Sequence, residues 1–536
     1  CRLLAGLRFL HHTDKLGSVM LRILGNGFQH FRDKGQYHIF IDTVLCRAEL
    51  SNWDFAVLGT GILRNTLAVV GAVDIHLATA IGAIEQEINI FMNGTVVTRD
   101  DANRVIKDGV VVCQGDKIRS VGKRGEIPEL PQGANIIDAK GGLIMPGYIN
   151  PHSHAYCSLV RGYQIPGFVP DGFMDNLRNK WWFVDGQFTI EQCRSMAEVS
   201  FLEAVKNGVT TEFDHHASYG AVTGSLAQFS EAAEQIGLRT CLCFEVSDRA
   251  GKEAARQAVN ENIRCIKEAK PNPIRKGMMG LHASFTLSDE TLAYAAERME
   301  SENAYHIHIA ECREDEEDCQ KRYACSITKR LERFGMLGEK TLIAHGVYLD
   351  GEELSLIKEK NAMVVTNPES NMNNGVDMPP WEELCRRNII TGFGMDGFGH
   401  DVPTVWRIGN ALYKYKTRDI NSGWTQLPEM IFEGNAQIAS TIFETKIGKL
   451  QKGYQADVIV VDYQPPTPLD ETTVNAHLLF GTGGKDTVTT MCNGRLLMKD
   501  RRMLTTDEEK IEAESRKQAE KLWRHCNMIR TGGEAV

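Results

Sequence analysis

The residues of this 536-residue chain that could do chemistry gather where apolar runs end. In "MPGYINPHSHAYCSLVRGY", Met145 to Tyr163, an apolar run and a Pro-Gly break lead into His152 and His154, one serine apart. Side chains two positions apart on a β-strand share a face, so a strand ending here aims both imidazoles at one point, which suits a metal ion. H-x-H pairs also occur by chance, and the rest of the chain must decide. Other apolar runs close in the same way: His282 in "GMMGLHASF", His306, His308 and Glu311 in "AYHIHIAEC", His345 in "TLIAHGVYL", and Asp396 in "IITGFGMDG". Five strand ends bearing His or Asp are hard to ascribe to core packing. A shared metal site is the expectation.

Converging those side chains requires elements that end at one place. Eight strand candidates, at 142–150, 208–216, 238–246, 277–285, 304–312, 341–349, 362–370 and 389–397, alternate with helix candidates as repeated βα units do. Thr189 with Gln192 forms a capping box before one helix, which stops at Gly208. This pattern predicts an α/β fold, a (β/α)8 TIM-like barrel whose active site lies at the C-terminal strand ends. The rival, a doubly wound open sheet, calls for a GxGxxG turn after an early strand, and the sequence has none there. Short strands with Asn-Gly and Gly-Asp turns flank the barrel region on both sides, and predict a composite small β-sandwich domain formed from both flanks. The resulting division is 1–86 unassigned, 87–143 and 447–505 composite β domain, 144–446 barrel, and 506–536 C-terminal helix and tail.

Composition narrows the partners. A net charge of -10 and a pI near 5.9, with no Lys/Arg block, argue against nucleic acid, because phosphate binding needs a basic surface. The most apolar segment, Leu67 to Ile84, is broken by Asp74 and His76 and makes a poor membrane span. Fourteen cysteines without a CxxC pair fit a reduced cytoplasm. The expected partner is a small molecule, and a homodimer is compatible with the reading. The chain opens on Cys1, which reads as a fragment, a processed form or an upstream start.

"PGYINPHSH", "HIHIAE", "LIAHG" and "GMDG" resemble the amidohydrolase superfamily, in the mononuclear branch with cytosine, guanine and S-adenosylhomocysteine deaminases and the triazine hydrolases. The similarity runs from near Ile88 to near Arg524. "DHHASYGAVTGSL", "GLRTCLCFEVSDRAG" and "PESNMNNGV" resemble the aminohydrolase subgroup called SsnA. Binuclear members bridge two metals with a carbamylated lysine at the end of strand four, where "GMMGLHASF" supplies a histidine instead.

The resemblance implies that His152, His154, His308 and Asp396 bind one divalent metal ion, with Zn²⁺ preferred and Fe²⁺ compatible. Alternation puts His306 and His308 on one face, and only the resemblance selects His308. His306 otherwise supports the ligands or packs in the core. The resemblance further implies Glu311 as proton carrier, His345 as the group that orients water and stabilises the oxyanion, and His282 as a substrate contact. Ser370, Asn371 and Asn373 could address a polar heterocycle or simply form a turn, and Trp181, like Trp182, could stack on a flat substrate or anchor a loop. Asp214, His215 and His216 either line the pocket or make a local network. The acidic run Glu311 to Cys319 reads as a helix start on a solvated face beyond its first residue. The implied activity is hydrolysis of a non-peptide C–N bond, foremost deamination of a small nitrogen heterocycle by metal-activated water. Ring opening of a cyclic amide in a purine-catabolism-type compound is the enzymatic alternative, and a non-catalytic scaffold is disfavoured because every implied ligand is present.

Overall fold

The computed structural model describes residues 29–33, 36–41, 44–49, 87–127, 133–299 and 303–532. The chain divides into two compact units at Gln86 and Glu87. In the first, where the sequence left no assignment, strands Gln29–Asp33, Gln36–Ile41 and Val44–Glu49 pair antiparallel in chain order. The apolar stretch Leu67 to Ile84 lies outside the described residues. Among the described residues no helix is long and apolar enough to cross a membrane.

In the second unit both flanks enter one nine-stranded sheet. They meet where Val458–Val461 runs antiparallel to Leu143–Pro146, with Ile459 opposite Met145. Alternation sorts the side chains. Phe91, Val111, Val458, Val460 and Met491 share one apolar cluster, while Ile90, Met92, Val110 and Val112 form another. The expected sandwich differs in its hydrogen bonding, which links all nine strands in a single sheet rather than two stacked ones. The sheet also curls: Gly453 N donates to Ile118 O at 2.8 Å, and Lys117 bridges Gln455. A twisted sheet of this width closes on its own apolar face without breaking into two.

The eight strands expected of the central region are present: β1 (Tyr148–Ser153), β2 (Val209–His216), β3 (Arg239–Phe244), β4 (Met279–Ala283), β5 (Tyr305–Ile309), β6 (Thr341–His345), β7 (Met363–Thr366) and β8 (Thr391–Phe393). All neighbours pair parallel and nearly every strand residue is buried, as expected for strands covered on both faces. The ladders form two sheets, β1 to β3 with a short Arg275–Gly277 strand, and β4 to β8. Single parallel bridges, Val246 with Leu281 and Ser153 with Asp396, are all that pair one sheet with the other among the described residues. At these edges the backbones come close. A Cβ on Gly280 would meet Phe244 O at 2.4 Å, and one on Gly394 would meet His152 Cβ at 3.1 Å.

Helix α1 (Ile190–Lys206) begins with the expected capping box: Gln192 N donates to Thr189 Oγ1 at 3.3 Å and Thr189 N to Gln192 Oε1 at 3.0 Å. It closes through Asn207 into Gly208, whose φ of +83° is open to glycine. Helix α2 (Arg313–Tyr323) carries the acidic run, with a correction to the solvated face expected of it. Asp315 is buried and accepts from Ala310 N at 3.1 Å and Phe285 N at 3.0 Å, tying the helix to the loops after β4 and β5. Helix α3 (Glu508–Arg530) fastens the segment that follows β1. Trp523 donates to Leu159 O at 2.8 Å, Tyr163 to Asn527 Oδ1 at 2.9 Å, and Arg530 to Asn179 O at 2.6 Å.

Candidate metal centre and active site

The ends of β1 and β5 bring the ring nitrogens of His152, His154 and His308 within 4.8 Å of one another. His154 Nε2 lies 3.2 Å from His308 Nε2 and 3.2 Å from Asp396 Oδ1, while His152 Nε2 lies 4.0 Å from that same oxygen. Two hydrogen bonds set the tautomers. His154 Nδ1 faces His215 O at 2.6 Å and His308 Nδ1 faces His282 O at 2.9 Å, so both donate from Nδ1 and keep a lone pair on Nε2. His152 Nδ1 contacts His306 Nε2 at 2.9 Å, leaving the buried His152 Nε2 without a partner. Burial, and then the neighbouring imidazoles, push His152 and His308 well below the usual histidine range, and burial lowers His154 against the pull of Asp396. Two Nε2 lone pairs, from His154 and His308, and the unpartnered Nε2 of His152 converge on one carboxylate-lined spot and lack a common partner. The donor set therefore fits a divalent ion.

Glu311 and His345 adjoin this group. His345 Nε2 lies 3.5 Å from Glu311 Oε2 and 3.6 Å from Asp396 Oδ2, and its Nδ1 is 2.9 Å from Asn371 Oδ1. Burial raises the Glu311 carboxyl to about 7, with His345 opposing the rise and Asp396 adding to it. His345 and Asp396 hold φ at +70° and +54°, left-handed values that non-glycine residues seldom adopt and that concentrate at functional sites.

The other residues singled out from the sequence divide. His282 lies beside the cluster, with its Nδ1 2.8 Å from Thr286 Oγ1. Ser370 and Asn371 are buried, but Asn373 is exposed, and its neighbour Asn374 reaches the site by donating to Glu311 Oε1 at 3.4 Å and to Ser370 Oγ at 3.3 Å. These residues lie in a helical turn, Pro368–Asn373, so Asn371 and Asn374, three apart, share a face that Asn373 does not. Trp181 packs against Tyr156 at 6.2 Å, whereas the Trp182 ring meets His282 edge-on at 5.9 Å. Asp214 accepts from Ala155 N at 2.7 Å and so holds the turn after His154. His215 faces the cluster, while His216 turns to Ser218 Oγ at 2.8 Å and Phe229.

Two groups escaped sequence reading. Glu245, just past β3, points toward His215 and His282 and pairs with Arg249, which is itself held by Asp185 at 2.6 Å. The signal was present in "EVSDRAG", since Glu245 also ends an apolar run, but a lone glutamate there lacks the histidine pattern. Behind Asp396, His400 lies 3.2 Å from Glu212 Oε1 and 3.8 Å from Glu203 Oε2. Asn150 links this pair to the site, donating to Glu212 Oε1 at 3.0 Å and accepting from Met395 N at 3.1 Å.

The sequence model of the Amidohydrolase family matches residues 143–497. The chain is 30% identical to the 5-methylthioadenosine/S-adenosylhomocysteine deaminase of Pelotomaculum thermopropionicum, over 81% of this chain and 99% of the relative. It is 28% identical to the 5'-deoxyadenosine deaminase of Methanosarcina mazei, over 82% and 99%. Among solved structures, an adenosine deaminase from Xanthomonas campestris with bound zinc superposes with a TM-score of 0.73 at 19% identity, covering 82% of this chain and 99% of that one. On the extent of the family match and the length over which these relatives align, the chain belongs to the amidohydrolase family of hydrolytic enzymes.

Proposed function

We propose that the chain hydrolytically deaminates a small nitrogen heterocycle, with His152, His154, His308 and Asp396 holding one divalent metal ion. The observation that carries this reading is the buried, unpartnered Nε2 of His152 facing two further imidazole lone pairs beside a carboxylate. Three nitrogens and one oxygen suit Zn²⁺ first and Fe²⁺ as well. When bound, the ion lowers the pKa of a coordinated water toward roughly 7 and so makes a nucleophile available at neutral pH.

The chain's own groups do the rest. Asp396 Oδ2 and His345 Nε2, 3.6 Å apart, are placed to receive the proton that water loses and to hydrogen-bond the oxygen that gains charge. Glu311, raised to about 7, carries a proton near neutrality and delivers it to a ring nitrogen as water adds at the adjacent carbon. The C–N bond then breaks, the amino group leaves as ammonia, and the ring keeps the oxygen. His282, Ser370, Asn371 and Asn374 surround the ring, and Trp182 is better placed than Trp181 to flank it.

We read the Val246–Leu281 and Ser153–Asp396 bridges as the edges of a closed (β/α)8 barrel spanning 144–446, and the nine-stranded sheet as a folded-over sandwich built from 87–143 and 447–505. The twelve cysteines between residues 87 and 532 are free thiols, which supports a reducing cytoplasm as the setting. The test is a metal-loaded screen over purines, pyrimidines, their ring-opened products and triazines. One ammonia released per ring, with an intact oxo product, is expected, and a product that is opened yet keeps every nitrogen contradicts deamination.

A further inference from the structure

The strap that follows β1 is tied down by the far end of the chain. From Phe173 to Asp185 it is one helical run, α-helical at first, then the π turn Leu177–Trp181, then α-helical again. Its inner face meets the barrel at three places. Met174 Sδ lies 3.8 Å from the sulfur of Cys312, the residue after Glu311; the Trp182 ring stands 5.9 Å from His282 and 6.4 Å from Phe285; and Asp185 holds Arg249 at 2.6 Å. Arg178 and Trp182 also line, with Phe285 and Thr286, a cavity of about 430 Å³. The indole thus stands between that room and the histidine cluster, whose proposed metal ligands are 8% exposed or less.

Arg530, at the end of α3, grips the middle of this run from the solvent side. Its guanidinium donates to Asn179 O inside the π turn at 2.6 Å and lies 4.1 Å from the centre of the Phe183 ring. A planar guanidinium can do both, bonding in its plane while a ring packs on its face; an ammonium cannot. Successive side chains of a helix point about 100° apart, so holding Phe183 toward α3 leaves Trp182 turned toward His282. The grip has a fixed base. Trp523 donates to Leu159 O and Asn527 accepts from Tyr163, which fastens α3 to the start of the same segment.

Resting on the deamination reading, we infer that Arg530 is a positioning residue: it seats the strap so that Trp182 forms a fixed aromatic wall for the heterocycle. Arg530 itself never touches the ring. The indole and Phe285 are nearly parallel, 27° apart, a geometry that suits a flat ligand only while the strap is held. Without the guanidinium, the π turn loses its outside donor and Phe183 its cation, and Trp182 is free to swing away. Binding then weakens before and during the reaction alike, while the groups that act on the C–N bond stay on their strand ends.

The test sets Arg530→Ala and Arg530→Lys against the parent, and repeats Arg530→Ala in a Trp182→Ala chain, all full-length and metal-loaded. Acrylamide quenching of tryptophan fluorescence reads the strap without substrate, and KM and kcat are measured on a purine or pyrimidine that the parent deaminates. Arg530→Ala should raise quenching and raise KM about 10-fold at unchanged kcat, because the lost contacts serve binding alone. Arg530→Lys, which keeps the charge over Phe183, should recover part of both. In the Trp182→Ala chain, replacing Arg530 should change neither. Unchanged quenching, unchanged KM on a ring that is deaminated, a loss confined to kcat, or effects as large in the Trp182→Ala chain overturn the inference, the last by showing that Arg530 merely stabilises α3. If no ring yields ammonia, the deamination reading fails and the quenching pair alone decides the role of Arg530.

Discussion

Three buried histidines beside Asp396 and a fourth, His400, four residues beyond it end in opposite charge states. His152, His154 and His308 are neutral, because burial and the neighbouring imidazoles disfavour the added proton. His400 is equally enclosed and burial opposes its proton too, yet Glu212 and then Glu203 raise it to about 10. Glu203 answers in kind: against burial, the charged His400 3.8 Å away and Arg161 at 2.8 Å hold it at about 2. The same side chain becomes a lone-pair donor in one place and a counter-ion in the other, and the sign of its neighbours decides which. The neutral set can receive a cation. The charged one clamps carboxylates from α1 and β2, and through Asn150 it holds the backbone that presents Asp396.

The largest effect should follow from emptying the neutral set. Chelation is expected to abolish turnover, with recovery on returning Zn²⁺, because the proposed nucleophile depends on the ion. Activity that survives in thoroughly chelated protein contradicts the metal assignment. Next is Glu311→Gln, which keeps size and hydrogen bonding but cannot carry a proton. Turnover should fall by about 10²-fold or more while metal stays bound. A fully active variant removes Glu311 from the proton path.

The charged set is probed by stability rather than rate. His400 is raised above its unfolded value, so the stability it contributes is fully present below about pH 6.5 and is lost as pH rises through about 10. His400→Asn should therefore cost about 3 kcal/mol or more at pH 6, as expected for a buried ion pair stripped of one partner. The gap to the parent chain in denaturant unfolding should narrow toward pH 10. A pH-independent gap shows that His400 is not held charged. The smallest effect concerns residues 1–86, which supply none of the proposed ligands: a chain starting at Glu87 should keep its metal and its activity. A soluble, metal-loaded but inactive chain would move that boundary.

Much of the site was legible because strand alternation is strict. His152 and His154, two apart at a strand end, share a face by alternation, whereas alternation does not separate His308 from His306 and only the resemblance chose between them. The misses have different causes. Helical phase carries Asn374 inward in place of Asn373, and the turn Leu177–Trp181 is a π-helix, whose extra residue shifts the exposed face and turns Trp182 rather than Trp181 toward His282. Glu245 gains His215 and His282 as neighbours from other strands, which no local pattern encodes. His400 lies past β8 in a loop, and its partners come from α1 and β2, nearly two hundred residues earlier. The curl of the nine-stranded sheet depends on where Gly453 meets Ile118, a long-range pairing that composition cannot specify.

Metal content across the two histidine sets tests the central claim most directly. After loading with Zn²⁺ and removal of excess, elemental analysis should find one equivalent per parent chain. The account predicts that His152→Ala and His308→Ala each lose most of it, since either leaves an incomplete donor set, while His400→Asn keeps it under conditions where the variant is folded. Normal zinc in both alanine variants, or loss confined to His400→Asn, would contradict the assignment of the neutral histidines as the metal site.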